Sequence, residues 1–417
     1  MTSAEEPETD KSDESSSRGF WIDCLRATLT VLVVAHHSSL AYTDFAHFDP
    51  AQYLASTAPI VDAARWGFFD YAENFNDVFF MSLMFFISGL FVLPGLARHG
   101  PVAFLRSRAL RLGLIFLFAV GVLMPLAYYP SYLQTGGAMS YLAYWFQRFP
   151  RDGLPPGPAW FIWVLLFFDA IAAVSLPALK WLSRVCAKAF ESWKDKPAKA
   201  FLAIFLMAVV AYIPMIARFG EHTWGAFFIP PLYFQTSRIL LYFSWFALGA
   251  LIGAKGLDRG MLASQGRLAR RWPLWIAVCL VAYNLLWFVP GSSWLRSLIP
   301  SERWRGLVYV MLWLLSCCAS SFAFLAVYRA LANRSPAWMT SLSRCAYTIY
   351  IVHYAFVTWI QSSLLEVKLP AIAKFAVAFG LTLVLSWFTA IVARAIRRKA
   401  LLIASKKREK LQSQFQK

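Results

Sequence analysis

The sequence predicts an all-α, polytopic integral membrane protein of about ten transmembrane helices, and three observations lead to that fold class. Of 417 residues, 59% are hydrophobic and only 15% charged, more apolar side chain than a soluble core of this length would bury. Apolar stretches of about twenty residues, long enough to cross a bilayer core as a helix, recur along almost the whole chain. Basic residues are concentrated in alternate connections between those stretches, as expected of loops sorted to two sides of a membrane.

The expected spans lie near residues 20–42, 76–97, 111–129, 159–180, 201–217, 238–254, 273–290, 306–328, 345–365 and 372–395. Before the first, residues 1–19 hold six acids against Lys11 and Arg18. A secretory signal starts basic, so this stretch reads as a disordered cytoplasmic tail from which nothing is cleaved. Residues 20–395 then form one membrane domain, and 396–417 a basic cytoplasmic tail. An even number of spans puts both termini on one side. That side carries 27 of the 40 Lys and Arg residues, including Arg98, Arg106, Arg108, Arg111, Arg329, Arg334 and Arg344, and the opposite side ten. Both termini are therefore expected in the cytoplasm of a cell with the protein in its inner membrane. The net charge of +18 is accounted for by this topology and by contact with anionic membrane lipids, which leaves no call for a nucleic-acid partner.

Cys24, Cys186, Cys279, Cys317, Cys318 and Cys345 lack CxxC spacing and fall in spans or on the cytoplasmic side, so neither a disulfide nor a metal site is expected. Two outer loops are long. Residues 43–75 are acidic, with Asp44, Asp49, Asp62, Asp70 and Glu73, and residues 128–158 are rich in Tyr, Pro and Gly; an acceptor molecule could enter there. Tyr128, Tyr129, Trp160 and Trp163 suit an aromatic belt at the interface. Pro and Gly cluster outside the spans, as in Pro155-Pro156-Gly157-Pro158, so the paired broken helices of many transporters are not evident.

Charge inside the first span marks the candidate site. Asp23-Cys24-Leu25-Arg26 leads into His36-His37-Ser38-Ser39, and ionisable groups at membrane depth need a partner or a function. Arg26 and His37 are eleven residues apart, which returns to within about 20° of the same helix face after roughly 16 Å of rise. Asp23 lies about 40° from His37 on that wheel, while His36 is turned about 80–100° away, toward a neighbouring helix or lipid. An imidazole with an ordinary pKa of about 6.5 can accept a proton near neutrality. Arg26 keeps its charge, and Asp23 is placed to hold its guanidinium. Asp169, Tyr283 and Asn284 are also polar within spans, but their spacing assigns no role.

Further motifs carry a resemblance. Arg26 with ten intervening residues before His37, Phe85-Phe86-Ile87-Ser88-Gly89, Phe104-Leu105-Arg106-Ser107-Arg108-Ala109-Leu110-Arg111, Ala159-Trp160-Phe161-Ile162-Trp163 and Ser343-Arg344-Cys345-Ala346-Tyr347-Thr348-Ile349-Tyr350-Ile351-Val352-His353 occur in that order. Together they resemble the membrane-bound acyltransferase family 3 over about residues 19–395. Ile22-Asp23-Cys24-Leu25-Arg26 and Arg108-x-x-Arg111-x-Gly113 are similar to the branch with the periplasmic-glucan succinyltransferase, although Cys24 stands where that motif commonly has Gly or Ser.

The resemblance implies transfer of an acyl group, acetyl or succinyl, from cytoplasmic acyl-CoA (acetyl-CoA or succinyl-CoA) to a hydroxyl of a glycan or other envelope acceptor. On that chemistry His37 is the general base, Arg26 with Asp23 meets the polar portion of the donor, and Arg106, Arg108 and Arg111 meet its phosphates. His36, Tyr347, Tyr350 and His353 are candidates for lining the site, and no metal is expected. The appended extracytoplasmic domain of some relatives is not expected here. A proton-coupled exporter of a glycan or lipid could use the same charged pair, and a non-catalytic scaffold would have no use for it.

Overall fold

Ten long helical segments stand where the apolar stretches place them. The computed structural model describes residues 11–332 and 336–415; residues 1–10 of the expected tail, and Arg334, lie outside the described residues. We label the helices α1 (Lys11–Ser39), α2 (Phe68–Gly89), α3 (Pro101–Gln134), α4 (Trp160–Val174), α5 (Pro197–Phe219), α6 (Ile239–Gly253), α7 (Trp272–Phe288), α8 (Glu302–Leu331), α9 (Ala337–Ser363) and α10 (Ala371–Phe415). Among the described residues, eight segments are both long and apolar enough to cross a membrane. The other two are α7, which is apolar but only 17 residues long, and α9. The 27 residues of α9 suffice in length, but Ser341, Arg344, His353 and Gln361 make it more polar. The protein is an all-α polytopic membrane protein, and the one sheet among the described residues is a two-stranded hairpin. That hairpin, β1 (Trp224–Ala226) and β2 (Tyr233–Gln235), is antiparallel, with Trp224 opposite Gln235.

Several boundaries differ from the sequence expectation. The helix α1 starts at Lys11, so residues 11–19 of the segment expected to be a disordered tail are helical, and α9 starts at Ala337 rather than near residue 345. The helix α2 starts at Phe68 rather than near residue 76, so Asp70 and Glu73 are helical rather than part of the loop. Hydropathy stops an apolar span where acids begin, whereas the helix continues with those acids partnered, Asp70 by the backbone N–H groups of Asp44 and Phe45 and Glu73 by His36. The run α3 starts at Pro101, before the expected 111, and contains two π-helical segments, Ala109–Gly113 and Ala119–Leu123. The last helix continues through the segment read as a separate basic tail, as far as Phe415.

Packing gives α1 a central place. Trp21, Ile22, Leu25, Leu29 and Val33 enter the main core with Phe79, Leu83 and Phe86 of α2. The other side of α1, with Ala27 and Val34, packs on Leu342 and Ile349 of α9 and Ala390 of α10. The α2 and α6 backbones touch at small residues. A side chain on Gly89 would collide with the carbonyl of Phe246, and one on Gly249 with that of Phe86. Gly249 and Gly253 are four residues apart, the small-xxx-small spacing that lets membrane helices approach closely. Outward apolar rows such as Leu202, Leu206 and Val210 on α5, and Leu381, Val384 and Phe388 on α10, are exposed, as suits faces that meet lipid rather than water.

The connection between α1 and α2 is tied down at several points. Arg65 donates to the carbonyls of Thr43 (2.6 Å), Ala46 (2.7 Å) and Asp62 (2.7 Å). Lys374 of α10 donates to both carboxylate oxygens of Asp62, at 2.9 and 2.7 Å. Both partners are almost fully buried, at 3% and 2% exposure. Removing either would leave the other charge uncompensated, at a cost of about 3–5 kcal/mol. The loop is thereby fixed as a roof over the C-terminal end of α1.

Candidate functional site

Under that roof lies a cavity of about 1160 Å³. Its floor and walls come from the last turn of α1, the first half of α2, the segment before α4, the β-hairpin and α9, and its roof includes Tyr53 and neighbouring loop residues. His36 and His37 both line it. They occupy the last turn of α1, which ends at Ser39. Gln361 of α9 holds that end by donating to the carbonyls of His37 (3.0 Å) and Ser38 (3.2 Å), two of the acceptors that a helix terminus leaves unmet.

The hydrogen bonds of His37 define its tautomer. Its Nδ1 lies 2.9 Å from the carbonyl oxygen of Val33, which can only accept, so Nδ1 carries the hydrogen. The same nitrogen lies 3.2 Å from Nε2 of His353. His353 Nδ1 is 2.7 Å from the carbonyl oxygen of Tyr350, so it too is the protonated nitrogen, and its Nε2 is left with a lone pair for His37. This leaves Nε2 of neutral His37 as a lone-pair nitrogen, the form a general base requires. Tyr354 packs edge-on to the His37 ring, with centroids 5.1 Å apart.

His36 faces the opposite wall. Its Nε2 is 3.5 Å from Oε1 of Glu73, and its ring packs against Phe80 at 5.4 Å between centroids. It thus meets a neighbouring helix, as helical phase predicts, yet still lines the cavity. One turn beyond Glu73 on α2, Asp77 pairs with Arg238 at 2.8 Å. The Arg238 guanidinium also lies over the Trp313 ring, 4.7 Å from its centroid. On the roof, the Tyr53 phenol donates to Asp152 at 2.6 Å, and Arg148 Nε donates to the same oxygen at 2.8 Å. Burial, then the hydrogen bond to Asp152, pushes the Tyr53 phenol well up, so it stays a donor at neutral pH.

The remaining sequence candidates are distributed differently. Arg26 and Asp23 form an ion pair at 3.6 Å on the N-terminal half of α1, both half-exposed and outside the cavity lining. Arg106 and Arg111 are exposed, whereas Arg108 is engaged by the fully buried Asp169 of α4 at 3.3 Å and lies over Phe104. Of the aromatic candidates, Tyr350 lines the cavity and donates to the carbonyl of Pro158. Tyr347 does not line it. Its hydroxyl reaches the carbonyl of Arg111 at 3.2 Å, a residue within the first π-helical segment, where the regular ladder is interrupted. His353 supports His37 from behind rather than facing the cavity. Asp77, Asp152, Arg238 and Gln361 are not singled out in the sequence, and Glu73 reads there only as one acid of the first long loop. Glu73 and Asp77 share the i,i+4 spacing of one helix face, a signal masked because the start of α2 reads as loop. Among the described residues, no group of three or more His, Cys, Asp or Glu side chains is placed to hold a metal ion.

Two histidines thus line a polar and aromatic cavity inside a helical membrane bundle, His36 buried and His37 half-buried. The family model described as an acyltransferase domain matches residues 20–391, and the chain belongs to that family, acyltransferase family 3. It is accordingly a membrane acyltransferase. No curated protein and no solved structure matches the chain.

Proposed function

We propose that this membrane acyltransferase moves an acetyl or succinyl group from acyl-coenzyme A, approaching from the cytoplasmic side, to a hydroxyl of a glycan or other envelope acceptor in the cavity. The observation that carries the reading is the pair of acceptors on His37 Nδ1, Val33 carbonyl and His353 Nε2, which leaves Nε2 as the basic nitrogen. The acceptor hydroxyl gives its proton to His37 Nε2 as its oxygen attacks the thioester carbonyl. The C–S bond breaks, and the departing thiolate takes the proton from the imidazolium, giving ester and coenzyme A thiol. Arg26 lies roughly 16 Å from His37 along α1, so its role is toward the polar portion of an extended donor rather than toward the reacting atoms. The test is coenzyme A thiol release by purified protein given acetyl-, succinyl- and longer-chain acyl-CoA, with and without envelope glycan extract. Acceptor-dependent release supports the reading; its absence with every donor overturns it.

Donor phosphates are assigned first to Arg106 and Arg111, whose guanidiniums are exposed, and only then to Arg108, which Asp169 already engages. Arg111→Ala should raise the donor KM by up to about tenfold, the lower end of what a hydrogen bond to a charged group contributes. An unchanged donor KM would reduce the basic cluster to a topology signal. The protein is assigned to the inner membrane with both termini cytoplasmic, on the charge distribution. A reporter fused after Lys417 should read cytoplasmic and one inserted within residues 43–67 outside; the reverse would exchange the sides of donor and acceptor.

A further inference from the structure

We propose that His36 and Glu73 form a subsite for a second hydroxyl of the acceptor, adjacent to the one deprotonated by His37, so that the site selects vicinal diols and fixes which oxygen is acylated. The identity of the reacting hydroxyl rests on the acyl-transfer reading above; the subsite itself rests on cavity geometry. His36 and His37 line one cavity, their ring centroids 5.2 Å apart and their planes at 81°. They turn to opposite walls, His37 to His353 on α9 and His36 to Glu73 on α2. With hydrogen bonds of about 2.8 Å at each end, oxygens on neighbouring carbons can each reach one ring.

The carboxylates around the cavity are not equivalent. Asp77 is held by Arg238 at 2.8 Å and Asp152 by Arg148 at 2.8 Å. Among the described residues, the ion-pair contact of Glu73 is His36 alone, at 3.5 Å, which is too long for a strong hydrogen bond. His36 Nδ1 is buried away from the cavity, so the ring meets Glu73 through Nε2. Both side chains are largely buried, at 10% and 13% exposure, so their polar atoms gain little from water and each unmade bond is costly. A hydroxyl beside this pair satisfies both at once. Its hydrogen goes to Glu73 Oε1 and its oxygen accepts from the His36 Nε2–H beside that carboxylate. Arg238 and Asp77 close the same wall but are committed to each other, which leaves Glu73 as the cavity carboxylate open to a neutral donor.

The test is a fluorescence titration of the purified full-length protein, using Trp160 and Trp224 of the cavity lining, with methyl glucoside and each of its monodeoxy analogues. Thiol release from acetyl-CoA and succinyl-CoA is measured in parallel. In the wild type, one deoxy analogue should bind at least about tenfold more weakly than the parent sugar. Glu73→Gln should weaken the parent by a similar factor and no longer distinguish that analogue; His36→Gln should behave likewise, with an unfolding midpoint close to wild type in at least one of the two. A merely structural pair would lower the midpoint and leave the discrimination intact, which overturns the proposal. Equal binding of all the sugars by wild type, absence of binding included, also overturns it. Discrimination in binding without thiol release would uphold the subsite while refuting the acyl-CoA reading.

Discussion

His37→Ala should lower acyl transfer at least about 100-fold while the protein still inserts, folds and binds donor, because a positioned general base contributes about 10²–10⁴-fold. The cavity should survive the change, since Gln361 holds the backbone carbonyl of residue 37 rather than its side chain. His36→Ala should lose much less, and the loss should fall on the acceptor KM, in keeping with its place opposite Glu73. Rates must be compared under single turnover with donor binding verified, so that lost affinity is not counted as lost chemistry. A dead His36 variant beside an active His37 variant would reverse the assignment, and equal losses would mean that the two imidazoles act as a unit.

His353→Leu should lower kcat by about 10- to 100-fold, with acceptor KM changed far less, because the imidazolium formed at His37 loses one of the two acceptors on its Nδ1 and hydrogen bonds to charged groups contribute about 1.5–3 kcal/mol. His353 acts through His37 and is a positioning residue. His353→Gln, whose amide oxygen can accept from Nδ1–H, should recover part of the loss. If Leu and Gln variants are equally impaired, or if KM rather than kcat carries the change, His353 fills space beside His37 and does not orient it.

Each of these expectations rests on a contact between residues that the sequence names without pairing them. Helical phase set His36 and His37 on different faces, and in the bundle His36 does meet another helix, at Glu73 of α2, whereas Arg26 pairs with Asp23 away from the cavity. What phase cannot supply is the identity of the group across the gap. His353 lies 316 residues from His37 and Glu73 is on a helix whose start reads as an acidic loop, so neither contact has a local signature. The arginines show the same limit. Arg106, Arg108 and Arg111 form one basic motif, but only Arg108 turns inward to Asp169, and that depends on the packing of α3 against α4.

The sequence by itself determined the class of the protein, the position of nearly every helix and the helix that carries the histidine pair. Those follow from local quantities: the apolar length needed to cross a bilayer, the repeat of 3.6 residues per turn and the family motifs in register. Tertiary structure decided the rest. It extended α2 into polar sequence by giving Asp77 to Arg238 and Glu73 to His36, roofed the cavity through Asp62 and Lys374, and set the lone pair of His37 on Nε2. Each of these is a pairing of groups far apart in the chain, and a buried polar group takes its state from the partner that folding brings to it.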